Sequence, residues 1–181
     1  MKAKKIIIII VVILLIALLG FTGFSIYKYV TPVTFTSNDN SFSITLPGSA
    51  NCKESASGSS SYILDLYSLK DEMMLYTSKL EKTVDINMEE IINSEKEGLS
   101  SIKENVRDIS ETSKIDIPNT ESYKYTFTYY DSTLSSDLYS EVVWIQTEKN
   151  IYIIDFEVVM ENKDKYVEEF DEIAKSFKEN N

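Results

Sequence analysis

Tyr123 to Met160 reads YKYTFTYYDSTLSSDLYSEVVWIQTEKNIYIIDFEVVM, and three strand patterns succeed one another within it. Tyr123, Tyr125, Phe127 and Tyr129 occupy alternate positions and so share one face of the first. In the second, Tyr139, Glu141, Val143 and Ile145 oppose Leu138, Val142 and Trp144. Aromatic and β-branched side chains of this kind suit a pleated surface. Asp131 to Asp137 supplies one connecting loop and Glu148-Lys149-Asn150 the other, which leaves Ile151 to Met160 as the third strand. Connections this short join antiparallel neighbours.

On the carboxyl side the period changes from two to 3.6. Tyr166, Val167, Phe170, Ile173, Ala174 and Phe177 form one apolar stripe and predict a helix from about Lys163 to Phe177. A second stripe lies upstream, where Met88, Ile91, Ile92, Leu99, Ile102 and Val106 recur at helical spacing while Glu89, Glu90, Lys96, Glu97 and Lys103 face away. Asn87 with Glu90 three positions on resembles a capping box, so this helix is expected over about Met88 to Lys103, with Gly98 a tolerated weakness inside it. Between the helix and the long strands, Val106 to Ser110 is a weaker strand candidate and Pro118-Asn119 is punctuation.

Further upstream, Thr34 to Thr36 and Phe42 to Leu46 alternate around Ser37-Asn38-Asp39-Asn40-Ser41 and predict a hairpin. Pro47-Gly48 ends it, and the serine-rich Ser49 to Ser61 reads as a loop. Tyr62 to Leu69 and Met73 to Leu80 form a second antiparallel pair around Lys70-Asp71-Glu72. Strands, a helix, more strands and a terminal helix make an α+β domain with a mainly antiparallel sheet and helices packed on it.

Ahead of this domain, Ile6 to Tyr27 is an uncharged run of 22 residues between Lys2, Lys4, Lys5 and Lys28. At about 1.5 Å per residue a helix of that length crosses a hydrocarbon core of ~30 Å. Ile, Leu, Val and Phe fill 16 of its positions, which favours insertion by about 5 to 10 kcal/mol. The run is longer than the h-region of a cleaved signal, no A-x-A-like site follows it, and Phe21 stands where a lipobox after Leu18-Leu19-Gly20 requires cysteine. The expectation is a permanent single-pass transmembrane helix. The excess of lysine before the span predicts a cytoplasmic amino terminus and an extracytoplasmic domain at the cell membrane. The expected organisation is a basic tail over 1–5, a span over 6–27, a linker over 28–32 and the domain over 33–181.

Of the 18 Lys and Arg, four flank the span, leaving 14 against 29 Asp and Glu in the domain. So acidic a surface is repelled by nucleic acid, which is not an expected partner. Residues 31–181 are enough to bury a core without disulfides, and the only cysteine, Cys52, has no partner in the chain for a bridge. It reads as a buried small apolar residue, a free thiol or a site for pairing between chains.

Raw material for catalysis is scarce. No histidine occurs, which removes Ser-His-Asp, Cys-His and imidazole-ligated metal chemistry. S-x-x-K occurs at Ser100 to Lys103 and again at Ser25 to Lys28, beside the membrane, with no accompanying motif. The acids Glu89-Glu90, Glu168-Glu169 and Glu141 with Glu157 read as solvated surface. The loops Ser37 to Ser41 and Asp131 to Asp137 offer calcium-type oxygens but lack EF-hand spacing. Tyrosines 62, 67, 76, 123, 125, 129, 130, 139 and 152 make the sheet aromatic, as core packing against the helices or as a binding surface. No catalytic residue, cofactor-binding residue or metal ligand is assigned, no cofactor is expected, and an enzyme is not expected.

Two short motifs carry a family resemblance. Phe42-Ser43-Ile44-Thr45-Leu46-Pro47 resembles the F-x-I-x-x-P hairpin start of the PsbP-like family, which includes DcrB-related bacterial exported domains. Phe170-Asp171-Glu172-Ile173-Ala174-Lys175-Ser176-Phe177-Lys178 resembles that family's closing helix. Together they cover Val33 to Lys178. After Pro47, where many members carry a tryptophan, this chain has Ser49-Ala50-Asn51-Cys52, and Trp144 is its only tryptophan. The resemblance implies an α/β/α sandwich and a binding or assembly role without catalysis, and no functional residue carries across. The functional expectation is a membrane-anchored binding or scaffold domain of the bacterial envelope with a protein partner, the alternative being a ligand- or stress-sensing domain.

Overall fold

A computed structural model describes residues 31–37, 39–48, 72–82 and 86–180 in full, the backbone of 53–54 and 64–68, and residues 13–14, 21–22 and 27 near the amino terminus. The expected span over 6–27 therefore lies largely outside the described residues. Among the described residues no helix is long and apolar enough to cross a membrane.

The three long strands form as their alternation predicts. Strands β8 (Glu121–Asp131), β9 (Ser136–Gln146) and β10 (Asn150–Val159) pair antiparallel in sequence. The second edge of β10 takes β5 (Met73–Glu81), followed outward by β4 (Leu64–Ser68) and β3 (Lys53–Glu54). Beyond β8 lie β6 (Glu104–Arg107) and β7 (Ser113–Lys114), side by side along one edge. A smaller sheet holds β1 (Val33–Thr36), β2 (Phe42–Leu46) and β11 (Lys178–Glu179) in the order β1-β2-β11. The long strands bury both faces, because each face has its own cover.

Helix α1 (Met88–Ile102) covers one face, where Met88, Ile92 and Leu99 pack on Tyr123, Tyr125, Phe127, Leu138, Val142 and Trp144. Its start is held as Asn87 predicts, by side-chain acceptance from the backbone N–H of Glu89 and Glu90. Glu90 reaches the Asn87 amide nitrogen at 3.0 Å rather than its backbone N–H, so this is a variant of the capping box. Helix α2 (Lys163–Lys175) and the small sheet cover the other face. Phe170 stacks on Phe156 with ring centroids 4.7 Å apart, and Phe42, Tyr152 and Phe177 form an aromatic cluster between the sheets. Helix, sheet and helix make the expected sandwich, with the small sheet added beside α2.

Four expectations need correction. The terminal helix stops at Lys175, because the Ser176 hydroxyl turns back to the Ile173 carbonyl (2.6 Å) while accepting from the Thr45 N–H (2.7 Å). The chain then extends so that Phe177 is buried and β11 pairs with β2. The weak strand lies at Glu104–Arg107 rather than Val106 to Ser110, bent where its register shifts. Within the expected loop Ser49 to Ser61, Lys53–Glu54 pairs with β4, and the rest of that loop lies outside the described residues. Ile102, expected on the buried stripe of α1, is 74% exposed, because it is the helix's last residue and the chain turns to extended backbone at Lys103.

Candidate functional site

The face of the large sheet under α1 carries polar groups where the strand pattern calls for apolar ones. Asp155 and Glu157 interrupt the run Ile151 to Val159 two positions apart, so both point toward α1. With Glu95 of α1, Lys103 just beyond its end, and Tyr125 and Tyr129 of β8 they line a cavity of about 490 Å³. Its apolar wall includes Leu99, Ile153 and the exposed Ile102.

Each carboxylate has different company. The Tyr125 hydroxyl (2.7 Å) and the Trp144 indole N–H (2.9 Å) both donate to Glu95 Oε2. Burial raises the Glu95 carboxyl's pKa against those two hydrogen bonds. Glu157 is 2% exposed and accepts from the Tyr129 hydroxyl and the Lys103 ammonium, each at 2.8 Å. That ammonium also lies 4.1 Å from the Tyr129 ring centroid. A cation over a tyrosine face is attracted by the ring quadrupole, so Lys103 is held by charge, hydrogen bond and ring together. Asp155 accepts a 2.8 Å hydrogen bond from Ser140 and forms no ion pair among the described residues. Burial first, and then repulsion from Glu157, lifts its carboxyl well above the usual range, while Ser140 and Lys103 oppose.

On the opposite face Glu141, 1% exposed, faces Lys124 (3.5 Å) and accepts from Tyr139 at 3.3 Å. Burial raises its pKa despite Lys124, which also pairs with Asp171. Glu141 and Glu157 are therefore neither solvated nor a pair, since register places Glu141 opposite Phe156 and Ser140 opposite Glu157, with the sheet between the two acids. Glu89, Glu90 and Glu168 are exposed as expected, and Glu169 is half-buried.

The remaining candidates find other roles. Ser100 is exposed and Lys103, expected to face away, turns to Glu157, so the S-x-x-K pattern is not brought together as a site. Lys96, likewise expected outward, donates to the Ser110 carbonyl at 2.8 Å. Asp39 accepts from Ser37 and from the backbone and hydroxyl of Ser41 and pairs with Lys79. Burial opposes, but those donors hold its carboxyl below the usual range. Asp131 accepts from the N–H groups of Thr133 and Leu134, which closes the β8–β9 turn. Asp39 and Asp131 are thus taken up by turns, Asp137 pairs with Arg107 at 2.7 Å, and no three metal-ligating side chains converge among the described residues. Tyr123, Tyr125, Tyr129, Tyr139 and Tyr152 are buried, Tyr76 and Tyr130 half-buried, and Tyr62, Tyr67 and Cys52 lie outside the described side chains. Asp155 and Glu95 were not among the sequence candidates; two acids at alternate positions of an apolar strand were the signal.

No protein-family model matches the chain, and a search of curated proteins returns no match. Solved structures do match in fold. Cyanobacterial PsbP (CyanoP) from Synechocystis superposes with a TM-score of 0.60 at 11% identity, over 83% of this chain and 94% of that one. LpqN, involved in cell envelope biogenesis of Mycobacterium tuberculosis, gives 0.57 at 8% identity, over 81% and 89%. A protein from Bacteroides thetaiotaomicron gives 0.57 at 15% identity, over 82% of this chain and 48% of that one. At these identities the likeness is one of architecture, and the chain has a PsbP-like fold.

Proposed function

We propose that this chain is a single-pass, membrane-anchored extracytoplasmic domain of the bacterial cell envelope that binds rather than catalyses, tethered through Ile6 to Tyr27, and that it engages its partner at the cavity under α1. The observation that carries the binding half is the cavity itself. Tyrosine rings and carboxylates are arranged inside a concave site, and an exposed isoleucine stands at its edge. The anchor rests on the uncharged run and its flanking lysines, and the envelope setting is in keeping with the architecture shared with LpqN. A photoreactive amino acid at Ile102 in intact cells tests the reading. It is expected to give adducts that the same probe at Glu168, on the outer face of α2, does not. Equal adducts from both positions, or none from Ile102, would contradict it.

A further inference from the structure

An open sheet edge offers unpaired N–H and C=O groups to any extended chain, and proteins guard such edges with charge, proline or a bulge. Of the five edge strands among the described residues, four are guarded in this way. β3 is Lys53-Glu54, β7 holds Lys114, β11 is Lys178-Glu179, and β6 holds Glu104 and Arg107 with a register shift between them. β1 is the exception. Val33-Thr34-Phe35-Thr36 has no charge, no proline and an unbroken register with β2, and its residue types are those that strands favour.

Register decides which groups face outward. The Ser37 N–H donates to the Phe42 carbonyl at 3.0 Å, and bonded pairs alternate along an antiparallel ladder. Phe35 and Val33 therefore bond to β2, while the N–H and C=O of Thr34 and Thr36 point away from it. Opposite Thr34, the Thr45 N–H turns to the other side of β2, where Ser176 accepts it. Among the described residues no strand pairs with the outer edge of β1. Val33 and Phe35 share one face of the strand. Phe35 is half-buried against the core, whereas Val33 is 44% exposed, so the core runs out at this edge with apolar surface uncovered. We infer that β1 is a docking edge for an extended segment of a partner protein, apolar at alternate positions and basic in net charge, which adds to the small sheet as a further strand. Main-chain hydrogen bonds to Thr34 and Thr36 give such a segment its affinity, and apolar residues over Val33 and Phe35 its register. The charge follows from the domain, whose 29 Asp and Glu against 14 Lys and Arg attract a basic segment and disfavour a second copy of this chain. This surface is distinct from the cavity under α1 and does not depend on it.

Strand addition has a specific signature in hydrogen exchange. The full chain in detergent is titrated with a short fluorescein-labelled peptide of alternating valine and lysine, and with its valine-glutamate counterpart. Saturable anisotropy with the lysine peptide, and at least about tenfold weaker binding of the glutamate one, is expected. On binding, the Thr34 and Thr36 amides should slow in exchange. Thr34→Pro removes one outward N–H and no bond to β2, so the edge strand tolerates it, and binding should weaken about fivefold or more. Val33→Lys, at an exposed position, should weaken the lysine peptide in the same direction and serves if the proline variant does not fold. Ile109→Ser removes an apolar residue of similar exposure, 42%, from another part of the surface and should leave binding unchanged. Four results would overturn the inference: no saturable binding, equal binding of the two peptides, undiminished binding in the folded edge variants, or Thr34 and Thr36 amides already protected without peptide. A concentration-dependent dimer abolished by Thr34→Pro would also overturn it, because the edge would then belong to a second copy.

Discussion

Asp155 and Glu157 share a strand face and differ in what answers them. Glu157 has Lys103 and Tyr129, whereas Asp155 has Ser140. The consequence for Asp155 is a stability that depends on pH with a definite sign. Between the unfolded carboxyl value of about 4 and its raised folded value, the native chain holds a proton that the unfolded chain has lost. Rising pH across that window therefore favours unfolding. The charged or titratable groups lining the cavity with it are Glu95 from α1, Lys103 just beyond the end of α1, Tyr125, Tyr129 and Asp131 from β8, Tyr76 from β5 and Glu157 beside it. Glu95 and Glu141, also raised, add slope of the same sign. Urea midpoints should fall from about pH 5 to about pH 8 in the native sequence and fall less steeply in Asp155→Asn; parallel slopes would contradict this. Lys103→Met acts the opposite way, leaving a buried carboxylate with Tyr129 alone. It should cost about 1–3 kcal/mol at neutral pH in the same melts.

At the scale of elements, the two helices answer to their stripes but not equally. Phe170 is fully buried and stacked on Phe156 and Tyr166. Phe170→Ala should cost about 3–5 kcal/mol through lost transfer energy and a cavity. Glu168→Ala, on the exposed side of the same helix, should change stability by less than about 0.5 kcal/mol. Equal effects in urea melts would mean that α2 does not pack as its period says. Periodicity exposes elements like these, whose burial repeats every two or 3.6 residues over many positions. It was silent on β11, because two residues have no period, and on the end of α2, because Ser176 closes it through a contact to Thr45 far away in sequence. It misplaced Ile102 for a related reason, since a stripe says which side of a helix is apolar but not at which residue the helix gives way to extended chain. The site was half legible. Asp155 and Glu157 are visible as acids in an apolar strand, whereas Glu95 becomes part of the site only when β8 and β9 bring Tyr125 and Trp144 beneath α1.

For the whole molecule, one sheet serves two cores. Trp144 lies in the core under α1 and Phe170 in the core under α2, and the strands β9 and β10 contribute to both. The domain should therefore unfold as one unit. Trp144 fluorescence and far-ultraviolet circular dichroism should give coincident urea transitions, and Phe170→Ala should shift both equally although it lies across the sheet from Trp144. Separate transitions would make the faces independent. The same acidic domain is expected outside the cell, held by 22 uncharged residues after three lysines. Protease applied to intact spheroplasts tests that most directly, with a cytoplasmic protein as the control for integrity. The prediction is that residues 31–181 are digested while a fragment containing the amino terminus and the span is protected. Survival of 31–181 in spheroplasts whose cytoplasmic control is also intact would contradict the account.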